Sequence, residues 1–276
     1  MPESILPPGR DKACLVTTMF GDPRNIELLA DFLKSVLDIP EDEYREIAIV
    51  NPYLTREYPD MKLGIVDLRV TTRSGQIIHV EMQRCPFDAM RERIVFYNAN
   101  LIVGQIGESE EYGKMKRVIS IIITDHDLIS DSPFYHHRFT LFDHSAEIQF
   151  TDLLEIHTLE LTKIPETPDV YLWNWLRFLR AETLEEIDMV ANASPAIMKA
   201  TATVKKLSKD ERARLIHEYE VKARRDRLSE LYDARIEGEK TAARSFARNA
   251  LEMKLSFKDI SRLTGLSLDV IKKLAH

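Results

Sequence analysis

The stretch that most constrains the fold is Arg117 to Thr124, RVISIIIT, a nearly unbroken run of β-branched residues. A half-exposed strand would alternate apolar with polar residues, so this run reads as a central strand buried on both faces of a sheet. Apolar spacing sorts the chain on either side of it. Ile26, Leu29, Phe32, Leu33, Val36 and Leu37 recur at helical intervals behind Asp22-Pro23 and predict an amphipathic helix over 24–37. Arg45 to Val50, Lys62 to Val70 and Gln76 to Gln83 read as three strands. After Cys85-Pro86, the residues Ile94, Tyr97, Leu101, Ile102, Gln105 and Ile106 give a second helix to about Gly107. The order is α-β-β-β-α-β, an α/β arrangement. Arg138–Phe142 and Leu153–Leu161 look like additional strands, and from Asp169 onward the pattern is almost wholly helical.

The second and third strands form a hairpin that carries unexpected acids. Between them, Thr72-Arg73-Ser74-Gly75-Gln76 suits a three-residue loop, with a type I turn at Arg73-Ser74 and Gly75 left-handed. If Thr72 faces Gln76, Asp67 falls directly opposite Glu81 on one face, and Gln83 joins them. Val66, Leu68, Val80 and Met82 take the other face. Two carboxylates set face to face destabilise a sheet, and a divalent cation between them would remove that penalty. Oxygen-only ligands suit Mg²⁺ or Mn²⁺, which are often held by one or two carboxylates plus substrate phosphate. The competing reading pairs the acids with Arg69 or His79, both on the same face, or protonates one of them.

Length and composition fit one substantial core. At 276 residues and 31.9 kDa the chain has room for one main domain plus extra helices. Apolar runs such as Val118 to Ile123 fall far short of the ~20 residues a membrane span needs, and Met1 to Arg10 has no leader pattern. Cys14 and Cys85 cannot build a disulfide framework, so a reducing cytoplasm is expected. The net charge of −7 hides an asymmetry. Residues 1–198 hold 19 Lys and Arg against 33 Asp and Glu, net −14, whereas 199–262 hold 17 against 11, net +6. A basic tail of this kind suits a polyanion, or simply a solvated helical surface.

The order α-β-β-β-α-β with D-x₁₃-E-x-Q across its second and third strands resembles the PD-(D/E)xK nuclease superfamily. More narrowly, the chain resembles the Rpn family of recombination-promoting nucleases, PD-(D/E)xK-type transposases. The resemblance runs through GDPRNIELLADFLKSVL, IVDLRVTTRSGQIIHVEMQ, ERIVFYNANLIVGQI, EYGKMKRVISIIITD, LEIHTLELTKIPE and SFKDISRLTGLSLDVIKKL, in that order. It implies a restriction-endonuclease-like core with a mixed sheet. It also implies a Mg²⁺-dependent (or Mn²⁺-dependent) deoxyribonuclease that promotes recombination or transfer of mobile DNA.

Carried over residue by residue, Asp67 and Glu81 match the metal-binding acids of that family. Gln83 stands where the broader superfamily has Lys, so it would orient water through its amide and bring no charge. Val66 stands where the motif's Pro would be, a loss without chemical consequence. Glu27 matches an acid in the first helix that reaches the metal or holds the general base; otherwise it is a solvated first-turn acid favoured by the helix dipole. Arg93 and Tyr97 match R-x-x-x-Y and share a helix face, which makes a DNA phosphate contact plausible; the other reading is a surface Arg and a core Tyr.

Other candidates carry less. His136 and His137 are adjacent on a strand, point to opposite faces and cannot readily share an ion. Trp173 and Trp175 read as packing anchors. No Gly-rich phosphate loop, CxxC pair or GxSxG elbow is present, so no nucleotide cofactor, zinc or serine-hydrolase chemistry is expected. At the C-terminus, Ser256 can cap a helix to about Leu263, Gly265 suits the turn, and Ser267 can cap a second helix to Leu274. That is helix-turn-helix spacing, although Ile260, Leu263, Leu266 and Ile271 could equally close a helical bundle or a homodimer. The expected organisation is a nuclease core with extra strands over 1–165, a helical extension over 166–241 and a helix-turn-helix-like tail over 242–276. The competing expectation is a catalytically idle relative that binds DNA or a partner protein.

Overall fold

In the computed structural model the described residues are 19–50, 67–83, 89–107, 109–167, 170–206, 235, 238 and 241–274. Cys14, Cys85, Lys62 to Val66 of the second predicted strand and positions 207–234 of the basic region lie outside them. The chain divides into two compact units, residues 1–216 and 217–276.

The first unit opens as the sequence predicts. The Asp22 carboxylate accepts from the Arg24 amide at 2.9 Å and starts a 3₁₀ turn, Pro23–Asn25, that runs into helix α1, Ile26–Val36. Leu28, Leu29, Phe32, Leu33 and Val36 form its buried stripe. Phe32 stacks on Phe20 and meets Trp175 edge-on, and the Trp175 indole donates to Asp31 at 2.8 Å. Trp173 and Trp175 are therefore packing anchors, buried in helix α3, Tyr171–Arg180. Helix α2 is Met90–Val103; α4, Leu184–Val190, and α5, Pro195–Lys206, follow α3.

Six strands form one mixed sheet: β1 Ala48–Val50, β2 Leu68–Thr71, β3 Ile77–Gln83, β4 Val118–Thr124, β5 His136–Asp143 and β6 Ile148–Glu160. Their spatial order is β1-β2-β3-β4-β6-β5. β1, β2 and β3 pair antiparallel, β3, β4 and β6 pair parallel, and β5 returns antiparallel along β6. This is the α/β, restriction-endonuclease-like αβββαβ core, extended by two strands. β4 is buried at every position, as its β-branched run requires. α2 links β3 to β4 and covers one face, where Tyr97 and Leu101 pack on Ile77 and Val118, and Met90 and Ile94 pack on Ile122.

Several boundaries differ from expectation: β6 begins at Ile148, five residues before the expected strand, α2 stops at Val103 and not near Gly107, and β1 starts late. Arg45 and Glu46 belong to a 3₁₀ turn, Glu41–Glu46, so β1 is shorter than the apolar run predicted. Buried Tyr44 donates its hydroxyl to the Leu37 carbonyl at 3.2 Å and draws this segment back against the end of α1.

The second unit holds a helix over 241–252, then Phe257–Thr264 and Leu268–Leu274, labelled α6, α7 and α8. Ser256 caps α7 through the Asp259 amide, Gly265 is left-handed at φ 72°, and the Val270 amide reaches the Ser267 hydroxyl at 3.4 Å. Ala247, Ile260 and Ile271 form the core, with Ala250, Leu251, Leu266 and Leu274 around them. Leu263, one of the residues that could close a helical bundle or a homodimer, is 73% exposed, on the outer side of α7.

Candidate active site

The hairpin sets the site, and its turn is built as the residues dictate. Thr72 N–H donates to Gln76 O at 3.0 Å, Gly75 N–H donates to Thr72 O at 2.9 Å, and Gly75 has φ 87°. The ladder runs Thr71 with Ile77, Val70 with Ile78, Arg69 with His79 and Leu68 with Val80. Continued by one residue, this register puts Asp67 opposite Glu81. At that point the main-chain ladder stops, and the Asp67 carboxylate replaces it by accepting from the Met82 amide at 2.9 Å.

A second device holds the turn, and nothing in the local pattern announces it. Glu43, in the 3₁₀ turn before β1, accepts from the Thr72 hydroxyl at 2.5 Å and from the Ser74 hydroxyl and amide at 2.9 and 3.1 Å. The Thr72 hydrogen bond leads in keeping this carboxyl below its ordinary range, against the opposing effect of burial.

Glu81 lies mid-sheet on β3 and is 1% exposed; Asp67 is 8% exposed. Burying a carboxylate needs compensation, and Glu81 has three polar partners. Its Oε1 accepts from Gln83 Nε2 at 2.5 Å and from Arg93 Nη2 at 3.0 Å, while Oε2 faces His79 Nε2 at 3.2 Å. His79 is held from behind: its Nδ1 meets the Ser120 hydroxyl at 3.1 Å, Ser120 donates to Asn98 Oδ1 at 2.9 Å, and Asn98 Nδ2 donates to the Ile94 carbonyl at 2.8 Å.

Arg93 and Tyr97 complete the cluster. Arg93 Nε donates to the Tyr97 hydroxyl at 3.1 Å, and its guanidinium carbon sits 5.2 Å from that ring's centroid. The structure thus brings Glu81, Gln83, Arg93 and Tyr97 together, with Asp67 opposite Glu81 in the register. Glu27 goes elsewhere. It is on α1 with its carboxylate paired to Lys199 of α5. The members that sequence reasoning missed are Ser120, a polar residue inside the apolar run of β4, and Asn98, one of several polar residues on α2 with nothing in the pattern to single it out.

On β6, Glu155 and Glu160 are also buried, each beside basic side chains of its own. Glu155 accepts from Arg117 at 2.7 Å, Arg138 at 2.8 Å and His157 at 2.8 Å. Burial alone would raise its carboxyl; those hydrogen bonds and the Arg117 charge overcome it and hold it at about 2. Glu160 pairs with Lys163 at 2.7 Å and accepts from the Leu128 and Ile129 amides. His136 and His137 do part to opposite neighbours: His136 meets His157 at 2.8 Å and His137 meets Ser132 at 2.6 Å. Burial, then the neighbouring His157, lowers His136 to about 4.

Among the described residues no group of three or more His, Cys, Asp and Glu side chains is arranged to hold a metal ion. Two carboxylates beside an amide still form a donor set suited to a hard divalent cation that keeps waters and takes further oxygens from a phosphate. For such an ion to use Glu81 Oε1, Gln83 and Arg93 must give up part of their hold on it.

No curated protein and no solved structure matches the chain. One family model does, that of the PD-(D/E)XK nuclease family transposases, over residues 17–234, a span that takes in every strand, α1 to α5 and the whole Glu81 cluster. With the αβββαβ core, the hairpin register and this match in agreement, the chain belongs to the PD-(D/E)XK nuclease family transposases.

Proposed function

We propose that this protein is a divalent-metal-dependent DNA endonuclease that hydrolyses phosphodiester bonds and promotes recombination or transfer of mobile DNA. The observation that carries the reading is Glu81, a buried acid on a central strand, two residues before Gln83 and in register with Asp67, inside a nuclease-family chain. Asp67 and Glu81 would hold Mg²⁺ or Mn²⁺, which would supply Lewis acidity and positive charge at the scissile phosphate. Gln83 can turn its amide from Glu81 to orient the attacking water. The His79–Ser120–Asn98 chain fixes Glu81 from the side away from Arg93. Arg93 and Tyr97 contact the DNA backbone. Glu27 is an assisting acid in this scheme and must first leave Lys199. The basic helical tail adds affinity for DNA, and a homodimer would set two such sites side by side.

The test is nicking of supercoiled plasmid by the purified full chain with Mg²⁺ or Mn²⁺. Metal-dependent cleavage that disappears in Glu81→Ala supports the reading; cleavage that survives in that variant overturns it. The idle-relative alternative gains support from one observation, that both Glu81 oxygens already have protein partners. It predicts DNA binding without cleavage under any divalent ion.

A further inference from the structure

Glu81 Oε1 is the crowded atom of this site. Gln83 Nε2 and Arg93 Nη2 both donate to it, at 2.5 and 3.0 Å, and the opposite oxygen is taken by His79. A carboxylate has about four lone-pair positions on its two oxygens. The protein therefore occupies most of the capacity that a metal ligand must offer.

Arg93 is the charged member of that set. It is 13% exposed, and the Tyr97 hydroxyl and ring hold its Nε side while Nη2 reaches Glu81. Guanidinium is planar, permanently charged, and matches carboxylate and phosphate equally well. Arg93 and Tyr97 are four residues apart on α2, so the hydroxyl forms a pivot on the helix about which the far end of the fork can turn.

We propose that Arg93 is a positioning residue acting through Glu81: it occupies the cation's place at Oε1 while DNA is absent, and turns about Tyr97 to the phosphate when DNA arrives. This rests on the reading of Glu81 as a metal ligand. Two positive charges repel at one carboxylate oxygen. Metal alone must therefore compete with Arg93, whereas DNA removes the competitor by offering it a phosphate. The two ligands consequently bind with positive coupling, and by linkage each strengthens the other equally. The positive charge missing at Gln83, where the wider superfamily has Lys, then comes from α2. It reaches the phosphate only with the substrate.

The coupling is measurable without turnover. Mn²⁺ binding to the full chain, followed by electron paramagnetic resonance, should tighten about tenfold when a non-cleavable phosphorothioate duplex is added. In Arg93→Met, binding without duplex should already be tighter than in the parent by a similar factor, and the duplex should add little. Arg93→Lys should recover part of the coupling. Tyr97→Phe keeps the ring, drops the pivot, and should shift affinity in the same direction as Arg93→Met by less. Were Arg93→Met not to fold, the Lys and Phe variants carry the same comparison.

The proposal is overturned if the parent binds Mn²⁺ through Glu81 but Arg93→Met leaves that affinity unchanged or weaker. Mn²⁺ binding that ignores Glu81→Gln is a different failure. It removes the metal-site reading, and the Arg93 role with it.

Discussion

Arg93 Nη2 lies 3.0 Å from Glu81 Oε1, so the helix after β3 returns a guanidinium to the acid that β3 has just buried. Each member makes the other tolerable in a water-poor place: the acid neutralises the arginine, and the arginine donates to the acid. Replacing Glu81 with Gln keeps size and packing while removing the charge. Plasmid nicking should fall by more than about 100-fold, since the proposed metal ligand and the partner of Arg93 are lost together. Thermal unfolding of the same sample should drop by the equivalent of about 1.5–3 kcal/mol, the range for a hydrogen bond to a charged group. A fully folded Glu81→Gln protein with parental nicking would exclude the catalytic assignment.

Gly75 is the hinge of the register. An added Cβ would meet only the Lys116 side chain at 3.6 Å, which is ordinary contact, so the cost of Gly75→Ala is conformational. At φ 87° that cost is about 1–2 kcal/mol. Calorimetry should find a melting point lower by a few degrees. The parental melting point in Gly75→Ala would mean the turn tolerates an L-residue.

Acid should weaken the fold in two steps. Burial, then the neighbouring His157, lowers His136 from 6.5 to about 4. The fold therefore favours its neutral form; the contribution is complete above 6.5 and is lost as pH falls toward 4. Glu155 is held at about 2 against an ordinary 4.5, so its contribution is complete above 4.5 and is lost as pH falls from there toward 2. The Glu155 step amounts to about 3 kcal/mol. Melting points collected from pH 8 to pH 3 should begin to decline below 6.5 and steepen below 4.5. In His136→Gln the first decline should vanish and the second remain. Identical profiles for parent and variant would rule out His136 as the source.

The second unit stands on a small core, so Ile260→Ala should cost about 2–5 kcal/mol there and unfold it ahead of the first unit. Loss of the α6–α8 amide signals in NMR, with retained signals from the sheet, is the expected result. If the tail also carries DNA affinity, the same variant should bind duplex more weakly and show a shallower salt dependence.

The elements that were legible in the sequence are those fixed by local rules. β4 follows from uniform β-branching, α1 from its 3.6-residue stripe, the α7–α8 turn from Ser256 and Gly265. The 72–76 loop follows from one glycine, and that glycine placed Asp67 against Glu81. The illegible parts depend on contacts distant in sequence. Glu43 reaches the Thr72–Ser74 turn from 29 to 31 residues away, and Ser120 meets Asn98 across 22. Arg93 showed its spacing to Tyr97 but not its aim, because where a helix docks over a strand is decided by apolar packing such as Ile94 on Ile122. Lys199 gave no sign that it would take Glu27.

β3 has a neighbour on each side, antiparallel β2 and parallel β4, and helix α2 above it. Amide protons of β3 that pair with β4 can then exchange with solvent only when the sheet opens there, so they should rank among the slowest in the chain. With the proposed metal ligand in such a strand, the protein has little scope for losing the Glu81 cluster by local fraying. Damage at the periphery would then spare the Glu81 cluster, which would be lost only with the global unfolding of the first unit.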